Sequence, residues 1–187
     1  AQPYISHVDS YWKRMFGLVQ PLLFARSGPV IMVQVENEFG SYGDVSTSTA
    51  DLAYMEHLVG TARAALGPTT LLYTTDGGDA AYMRRGSLPG GGILTIGDGC
   101  SNPAATWAAQ RELNPPGRSP FLCGELYPGW LTHWGEEMAN RSSSGAASAL
   151  DGTLSIGNGT GSANLYMAHG GTSFGWWSGA NGNGGAS

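Results

Sequence analysis

The sequence predicts an α/β fold built on a parallel β-sheet, and three observations support this prediction. Short apolar stretches, several of them rich in β-branched residues, alternate along the chain with longer stretches of helical periodicity. Apolar stretches of this kind are typical of strands buried on both faces of a parallel sheet. Polar residues cluster directly after these stretches, at the sheet edge where parallel α/β proteins place their chemistry.

The first half of the chain contains two predicted helices and two predicted strands. The helices are expected at residues 10–24 and 49–66, and the strands at residues 30–35 and 70–75. Ser10 is the expected N-cap of the first helix, which should kink or end at Pro21. Gly67 and Pro68 end the second helix.

The second half continues the alternation with three further strands and one clear helix. The strands are expected at residues 93–96, 121–124 and 165–168, and the helix at residues 104–113. Residues 86–92 form a predicted loop. Residues 142–162 are rich in Ser, Gly and Ala, and they predict weak helix at best. Residues 178–187 are predicted to form a Gly-rich tail or linker.

Charge and hydropathy exclude two classes of partner. Nine Lys and Arg residues against fourteen Asp and Glu residues give a net charge of −5, and the basic residues are scattered. This balance predicts no nucleic-acid binding. No apolar run approaches the roughly 20 residues that a membrane span needs, so no membrane partner is predicted.

The sequence predicts neither a metal site nor a cofactor. The four histidines do not have the spacing of metal ligands, and the glycine-rich stretches lack the patterns that bind nucleotide phosphates. Cys100 lies near the end of the third predicted strand and Cys123 lies in the fourth. Their positions allow either a disulfide bond or two buried thiols.

Glu38 and Glu125 are the acidic pair most suited to catalysis. Both follow apolar strands and both are flanked by glycine and aromatic residues. A sugar hydrolase needs two carboxylates on opposite sides of a glycosidic bond and flat apolar surfaces for the sugar ring. The candidate surfaces are the side chains of Tyr127, Trp130, Trp134, Trp176 and Trp177. From the pattern alone, a structural role for the two glutamates, in helix capping or pairing with arginine, is equally consistent.

Three other acids near the predicted strand ends are assigned structural roles. Glu36 lies inside the first strand, where pairing with a neighbouring polar group is the expected role. Asp76 and Asp98 follow the second and third strands and are expected to belong to the scaffold rather than to the catalytic groups.

Residues 27–39, with the sequence SGPVIMVQVENEF, resemble the signature of the glycoside hydrolase family 35 β-galactosidases. Only Ser27 departs from that signature, which has glycine at this position. Residues 72–77, 124–135 and 164–174 resemble later segments of the same family, in the same order. The resemblance extends over nearly the whole chain.

The resemblance implies a partial (β/α)8 TIM barrel, in which the five predicted strands are strands four to eight. Residues 1–177 would form the C-terminal part of the catalytic barrel. Strands one to three and the β-rich domains of the family would lie outside this stretch, since a complete barrel takes about 250 residues. Whether this stretch folds or acts without them is left open.

The resemblance also implies a role for each site residue. Glu38 would be the acid/base and Glu125 the nucleophile, while Asn37 would bind the hydroxyl next to the anomeric carbon. The residues that would line the galactose site are Tyr127, Trp130 and Tyr166. The implied reaction uses no cofactor and no metal.

The implied function is retaining hydrolysis of terminal non-reducing β-D-galactose from an oligosaccharide, a glycoconjugate or a cell-wall glycan. Two alternatives are a catalytically inactive galactoside-binding module and a related retaining β-glycosidase with a different sugar specificity. The family resemblance suggests a lysosomal, vacuolar or secreted protein. The sequence leaves the oligomeric state open.

Overall fold

The computed structural model describes residues 2–88, 90, 92–133, 135–171 and 175 of the chain. Five parallel strands form one sheet in the order of the sequence, from β1 to β5. Their bounds are β1 Met32–Asn37, β2 Leu71–Gly77, β3 Leu94–Asp98, β4 Leu122–Leu126 and β5 Ser162–Leu165. The sheet curls into a half-barrel whose strands alternate with helices, which confirms the predicted α/β fold and partial (β/α)8 barrel.

Six α-helices occur among the described residues. Their bounds are α1 Gln2–Val19, α2 Thr49–Leu66, α3 Ala80–Gly86, α4 Pro103–Leu113, α5 Ser143–Leu154 and α6 Ile156–Gly159. Short 3₁₀ turns cover Gln20–Leu22, Phe24–Arg26 and Phe39–Ser41. None of the described helices is long and apolar enough to cross a membrane.

The first helix is longer than predicted and ends where predicted. It begins at Gln2, eight residues before the expected start, so Ser10 is not its N-cap. The Ser10 hydroxyl instead donates to the Ser6 carbonyl inside the helix, at 2.8 Å. The α-helix ends at Val19, and the turn that contains Pro21 continues as 3₁₀ helix.

Two helices form where the sequence predicted none or only weak helix. Helix α3 has only seven residues, and the Asp79 carboxylate caps it by accepting from the Ala81 N–H at 2.7 Å. Helix α5 was expected to be weak because it consists of Ser, Gly and Ala. The Ser142 hydroxyl caps it by accepting from the Gly145 N–H at 3.1 Å, and packing against the sheet stabilises it.

The fifth strand begins three residues earlier than predicted. It was expected at residues 165–168 and is found at Ser162–Leu165. The sequence prediction missed the first residues of this strand because Ser162 and Asn164 are polar and alternate with Ala163 and Leu165. The Ser162 N–H donates to the Phe121 carbonyl at 3.1 Å and thereby sets the position of β5 beside β4.

Among the described residues the core has three apolar clusters, and two of them join helices to strands. One cluster packs α1 and α2 on β1 and β2 and includes Leu72, which is fully buried. A second surrounds Met55 of α2 and Phe39 of the turn after β1. The third joins β4 to α4 and α5 around Phe121 and Cys123. These clusters hold the strand ends at a common edge.

Cys100 and Cys123 form a disulfide bond, which decides between the two alternatives left open by the sequence. Their Cα atoms are 6.1 Å apart, and the bond links residues 23 positions apart in the chain. It joins the turn after β3 directly to β4. Both cysteines are buried within the third apolar cluster.

We expect removal of this disulfide to destabilise the protein by about 3 kcal/mol, since a closed loop of this size restricts the unfolded chain. The change is the double substitution C100S/C123S, and the measurement is the urea midpoint at constant slope. Wild-type protein in reductant is the control, because it loses the bond but keeps both sulfur atoms. Equal midpoints for oxidised and reduced wild-type protein would contradict the prediction.

Candidate active site

Four carboxyl groups lie at the C-terminal edge of the sheet. Glu38 directly follows β1, Asp76 lies in β2, Asp98 ends β3, and Glu125 lies in β4. Parallel strands end at the same edge, so residues far apart in sequence meet there. One carboxylate oxygen from each of Glu38, Asp98 and Glu125 lies within 4.8 Å of the other two. The structure therefore brings together the two glutamates singled out in the sequence and adds Asp98 to them.

Strand β1 contains an irregularity just before Glu38. Gln34 is opposite Tyr73 of β2 and Asn37 is opposite Thr75, so β1 has one residue more than β2 over this stretch. The Gln34 side-chain amide donates to the Glu36 carbonyl at 3.0 Å and to Asn37 Oδ1 at 2.9 Å. An extra residue of this kind redirects the side chains that follow it.

Strand β4 contains the same irregularity at Glu125. Cys123 is opposite Ala163 of β5 and Leu126 is opposite Leu165, so β4 again has one residue more than its partner. Here the Asn164 side-chain amide donates to the Gly124 carbonyl at 3.1 Å. The strand that leads to Glu38 and the strand that carries Glu125 thus both have an extra residue, and in both a side-chain amide donates to a backbone carbonyl within the irregular stretch.

Glu38 adopts a left-handed backbone conformation, with φ 53° and ψ 34°. For a residue with a side chain this conformation costs about 1–2 kcal/mol, so the surroundings must hold it. The Glu38 N–H donates to the Thr75 carbonyl at 2.7 Å, and the Gly40 N–H donates to Asp76 Oδ1 at 2.7 Å. Asp76 therefore has the scaffold role predicted for it, and it holds the turn that carries Glu38.

Burial changes the ionisation of the acids at this edge. Asp76 has no exposed surface, and burial, together with the charges of Glu36 and Glu38, raises its pKa to about 7 even though the Gly40 N–H lowers it. Burial raises the pKa of Asp98 to about 8, with contributions from Glu38, Glu125 and Asp76. Burial also raises the pKa of Glu125, against the hydrogen bond from Tyr127.

Aromatic side chains lie beside Glu125. The Tyr127 hydroxyl donates to Glu125 Oε2 at 3.2 Å. The Tyr127 ring lies 5.4 Å from the Trp130 ring and 6.5 Å from the Tyr166 ring, both edge-on. Trp130 is 62% exposed and Tyr166 is 48% exposed, so both rings are accessible to a ligand. The other predicted sugar platforms, Trp134, Trp176 and Trp177, lie outside the described residues, as does the predicted tail at 178–187.

Asn37 and Glu36 precede Glu38 and lie in different surroundings. Asn37 is exposed, and its Oδ1 accepts from Gln34. Glu36 accepts hydrogen bonds from the Tyr42 hydroxyl at 2.8 Å and the Tyr54 hydroxyl at 3.4 Å. This matches the pairing predicted for Glu36. Glu36 is not one of the three acids whose carboxyl oxygens lie within 4.8 Å of one another.

Asp98 was expected to belong to the scaffold rather than to the catalytic groups, and the structure places one of its carboxyl oxygens within 4.8 Å of oxygens of Glu38 and Glu125. The sequence did not predict this proximity. The position of Asp98 after an apolar strand was visible, but the sequence does not show how far the sheet curls. The three carboxyl oxygens also lie close enough together to hold a cation. Acidic groups at this spacing are not by themselves evidence for a bound cation.

A pair of carboxylates at the ends of parallel barrel strands, with aromatic rings beside them, is an arrangement that glycoside hydrolases use. The chain belongs to the glycosyl hydrolases family 35, whose family model matches residues 1–187. This confirms the family resemblance of residues 27–39.

Several curated relatives match 95% of the chain. The identity is 45% to "Beta-galactosidase 8" of Oryza sativa subsp. japonica, 43% to "Beta-galactosidase 17" of Arabidopsis thaliana and 38% to "Beta-galactosidase" of Homo sapiens. The chain covers 25%, 24% and 25% of these proteins, respectively. It therefore spans about a quarter of the length of the relatives it matches.

We expect Gly40→Ala to destabilise the turn that carries Glu38. A Cβ atom at Gly40 would lie 2.0 Å from the Tyr82 carbonyl oxygen, and this backbone atom cannot move without displacing α3. Gly60→Ala is the control, because its Cβ atom meets nothing within 4 Å and replaces glycine inside α2. The control should gain up to about 1 kcal/mol in unfolding free energy. If both variants unfold at the same urea concentration, the turn is not held as described.

We expect Asp76→Asn to remove part of the pH dependence of stability. The folded-state pKa of Asp76 is raised to about 7, so its protonated form contributes stability below pH 4 that is lost as the pH rises through 7. The slope contributed by one carboxyl group is at most about 1.4 kcal/mol per pH unit.

The measurement is the free energy of unfolding from pH 4 to 8 for wild-type protein, Asp76→Asn and the exposed control Asp79→Asn. Asparagine at position 76 can still accept from the Gly40 N–H, so the turn keeps its hydrogen bond. The free energy of unfolding of the wild-type protein minus that of Asp76→Asn should decrease as the pH rises. A constant difference would contradict the prediction.

Proposed function

We propose that the protein acts as a retaining exo-β-galactosidase, with Glu125 as the nucleophile and Glu38 as the acid/base. The observation that carries this proposal is the separation of at most 4.8 Å between a Glu38 oxygen and a Glu125 oxygen. Retaining glycosidases hold their two carboxyl groups roughly 5–5.5 Å apart, while inverting ones need roughly 6.5–9.5 Å to admit a water molecule. The short separation favours direct attack by Glu125 on the sugar. Residues 1–177 then form the C-terminal part of the catalytic barrel.

In the first step, a Glu125 carboxylate oxygen attacks the anomeric carbon and the glycosidic bond breaks. Glu38 gives its proton to the departing oxygen, so the aglycone leaves as an alcohol. The product is a galactosyl ester of Glu125. The Tyr127 hydroxyl, which donates to Glu125 Oε2, holds the nucleophile in one orientation.

In the second step, water attacks the anomeric carbon of the ester. Glu38, now a carboxylate, takes a proton from that water, and the bond between sugar and Glu125 breaks. Galactose leaves with its original anomeric configuration, and both carboxyl groups return to their starting states.

The same edge of the sheet supplies groups for binding the sugar. Asn37 would bind the hydroxyl next to the anomeric carbon, since it directly precedes Glu38 in the chain and its side chain is exposed. Tyr127, Trp130 and Tyr166 would line the galactose site with aromatic surface. The relatives are named β-galactosidases, which supports a β-galactoside of an oligosaccharide, a glycoconjugate or a cell-wall glycan as substrate. The disulfide fits a lysosomal, vacuolar or secreted location.

We expect an activated 2-fluoro-β-galactoside to label the protein once, on Glu125. The fluorine slows hydrolysis of the galactosyl ester, so the intermediate accumulates and can be located by peptide mass spectrometry. Glu125→Gln should give no adduct and no turnover. A 2-fluoro-β-glucoside is the control for sugar specificity, and an inactive binding module would bind galactose without any adduct. An adduct on another residue would remove Glu125 from the mechanism.

We expect Glu38→Ala to lower kcat about 10²–10⁴-fold on galactosides with poor leaving groups, because the leaving oxygen then lacks its acid. Substrates with dinitrophenyl leaving groups need no protonation, and azide should accelerate their turnover by replacing water and should yield β-galactosyl azide. Glu36→Gln is the matched control, two residues away and paired with Tyr42. The assignment fails if the Glu38 and Glu36 variants respond alike to azide and to the leaving group.

A further inference from the structure

Asp98 is a third carboxyl group within the candidate site, and neither proposed chemical step uses it. It is the last residue of β3 and is 4% exposed. One of its oxygens lies within 4.8 Å of both Glu38 and Glu125, and its carboxyl group is in hydrogen-bonding contact with that of Glu38. Its Oδ2 atom has no hydrogen-bond partner among the described groups. A buried carboxylate without donors is costly, so this position needs an explanation.

Among the described residues, the titratable groups that interact with Asp98 are all acids. These groups are Glu38 from the turn after β1, Asp76 from β2, Glu125 from β4 and Tyr127 beyond it. The basic residues on α3 and α4, which pack against β3, are engaged elsewhere. Arg84 pairs with Glu112, Arg85 lies 4.0 Å from Asp44, and Arg111 stacks over Trp107. Within the described part of the chain, no salt bridge reaches Asp98.

Two carboxyl groups in contact form a hydrogen bond only if one of them carries a proton. We propose that Asp98 keeps its proton throughout catalysis and donates it in a hydrogen bond to Glu38, which makes Asp98 a positioning residue for the acid/base. This inference rests on the proposed function of Glu38. Asp98 acts through Glu38 and need not touch the sugar.

The proton balance of the reaction is unchanged by this role. Glu38 gives its own proton to the leaving oxygen and later takes one from water, while the Asp98 proton stays on Asp98. When Glu38 becomes a carboxylate, the hydrogen bond from Asp98 stabilises the charge and fixes its orientation. Burial and the neighbouring acids raise the pKa of Asp98 to about 8, so the proton is present at neutral pH and is lost above pH 8.

The first test compares Asp98→Asn with Asp98→Leu on two galactosides. Asparagine keeps the size and an N–H donor, whereas leucine has a similar volume and no donor. We expect Asp98→Leu to lower kcat/KM about 10²-fold on an alkyl galactoside, whose leaving oxygen needs the Glu38 proton. The loss on a dinitrophenyl galactoside should be much smaller, and Asp98→Asn should recover most activity on both substrates. A merely structural role would reduce kcat/KM on both substrates alike.

The second test is the pH profile, which needs only the Asp98→Asn variant and remains decisive if Asp98→Leu does not fold. As the pH rises through about 8, log kcat/KM of the wild-type protein should fall more steeply than that of Asp98→Asn, because only the wild-type protein has an Asp98 proton to lose. The exposed Asp79→Asn is the control and should keep the wild-type slope.

Equal slopes for wild-type protein and Asp98→Asn would overturn the role of the Asp98 proton, as would full activity of Asp98→Leu on the alkyl galactoside. Failure of the proposed function gives a different result. In that case the wild-type protein itself shows no galactosyl adduct on Glu125. Labelling of wild-type protein at Glu125, together with unchanged Asp98 variants, would contradict only the inference about Asp98.

Discussion

The site depends on one constraint, the extra residue in each of the two strands that carry a glutamate. Regular parallel strands alternate their side chains between two faces, so a glutamate at the strand end points where the alternation puts it. The extra residues in β1 and β4 interrupt that alternation just before Glu38 and at Glu125. The amides of Gln34 and Asn164 donate to the Glu36 and Gly124 carbonyls within these irregular stretches. One carboxyl oxygen of Glu38 and one of Glu125 lie within 4.8 Å of each other.

Carboxylates this close together repel one another, and protonation of neighbouring acids reduces that repulsion. Acids crowd at one edge of the sheet, and no salt bridge within the described residues reaches Glu38, Asp76, Asp98 or Glu125. Burial and mutual repulsion raise the pKa values of Asp76 and Asp98 until both retain protons near neutral pH. The neutral forms reduce repulsion at this edge, where the two candidate catalytic carboxyl groups lie close together. The same acids hold the Glu38 turn and contact its carboxyl group, so proton retention and geometry are linked.

The sequence predicted the sheet well because its strands and helices are marked by local patterns. Helix 49–66 was predicted with its observed bounds, since its periodicity ends at Gly67. Helix α5 was underestimated because its short side chains carry little periodic signal and its stability comes from packing. The position of Asp98 could not be predicted, because it follows from the curl of the sheet and from extra residues in other strands.

The anomeric configuration of the first product shows whether Glu125 acts as a nucleophile. Proton NMR of a β-galactoside digest, recorded before the released sugar mutarotates, shows which anomer appears first. We expect β-galactose, because carboxyl groups this close leave no room for a water molecule between sugar and Glu125. If α-galactose appears first, water attacks directly, Glu125 is not a nucleophile, and the short separation does not describe the working site.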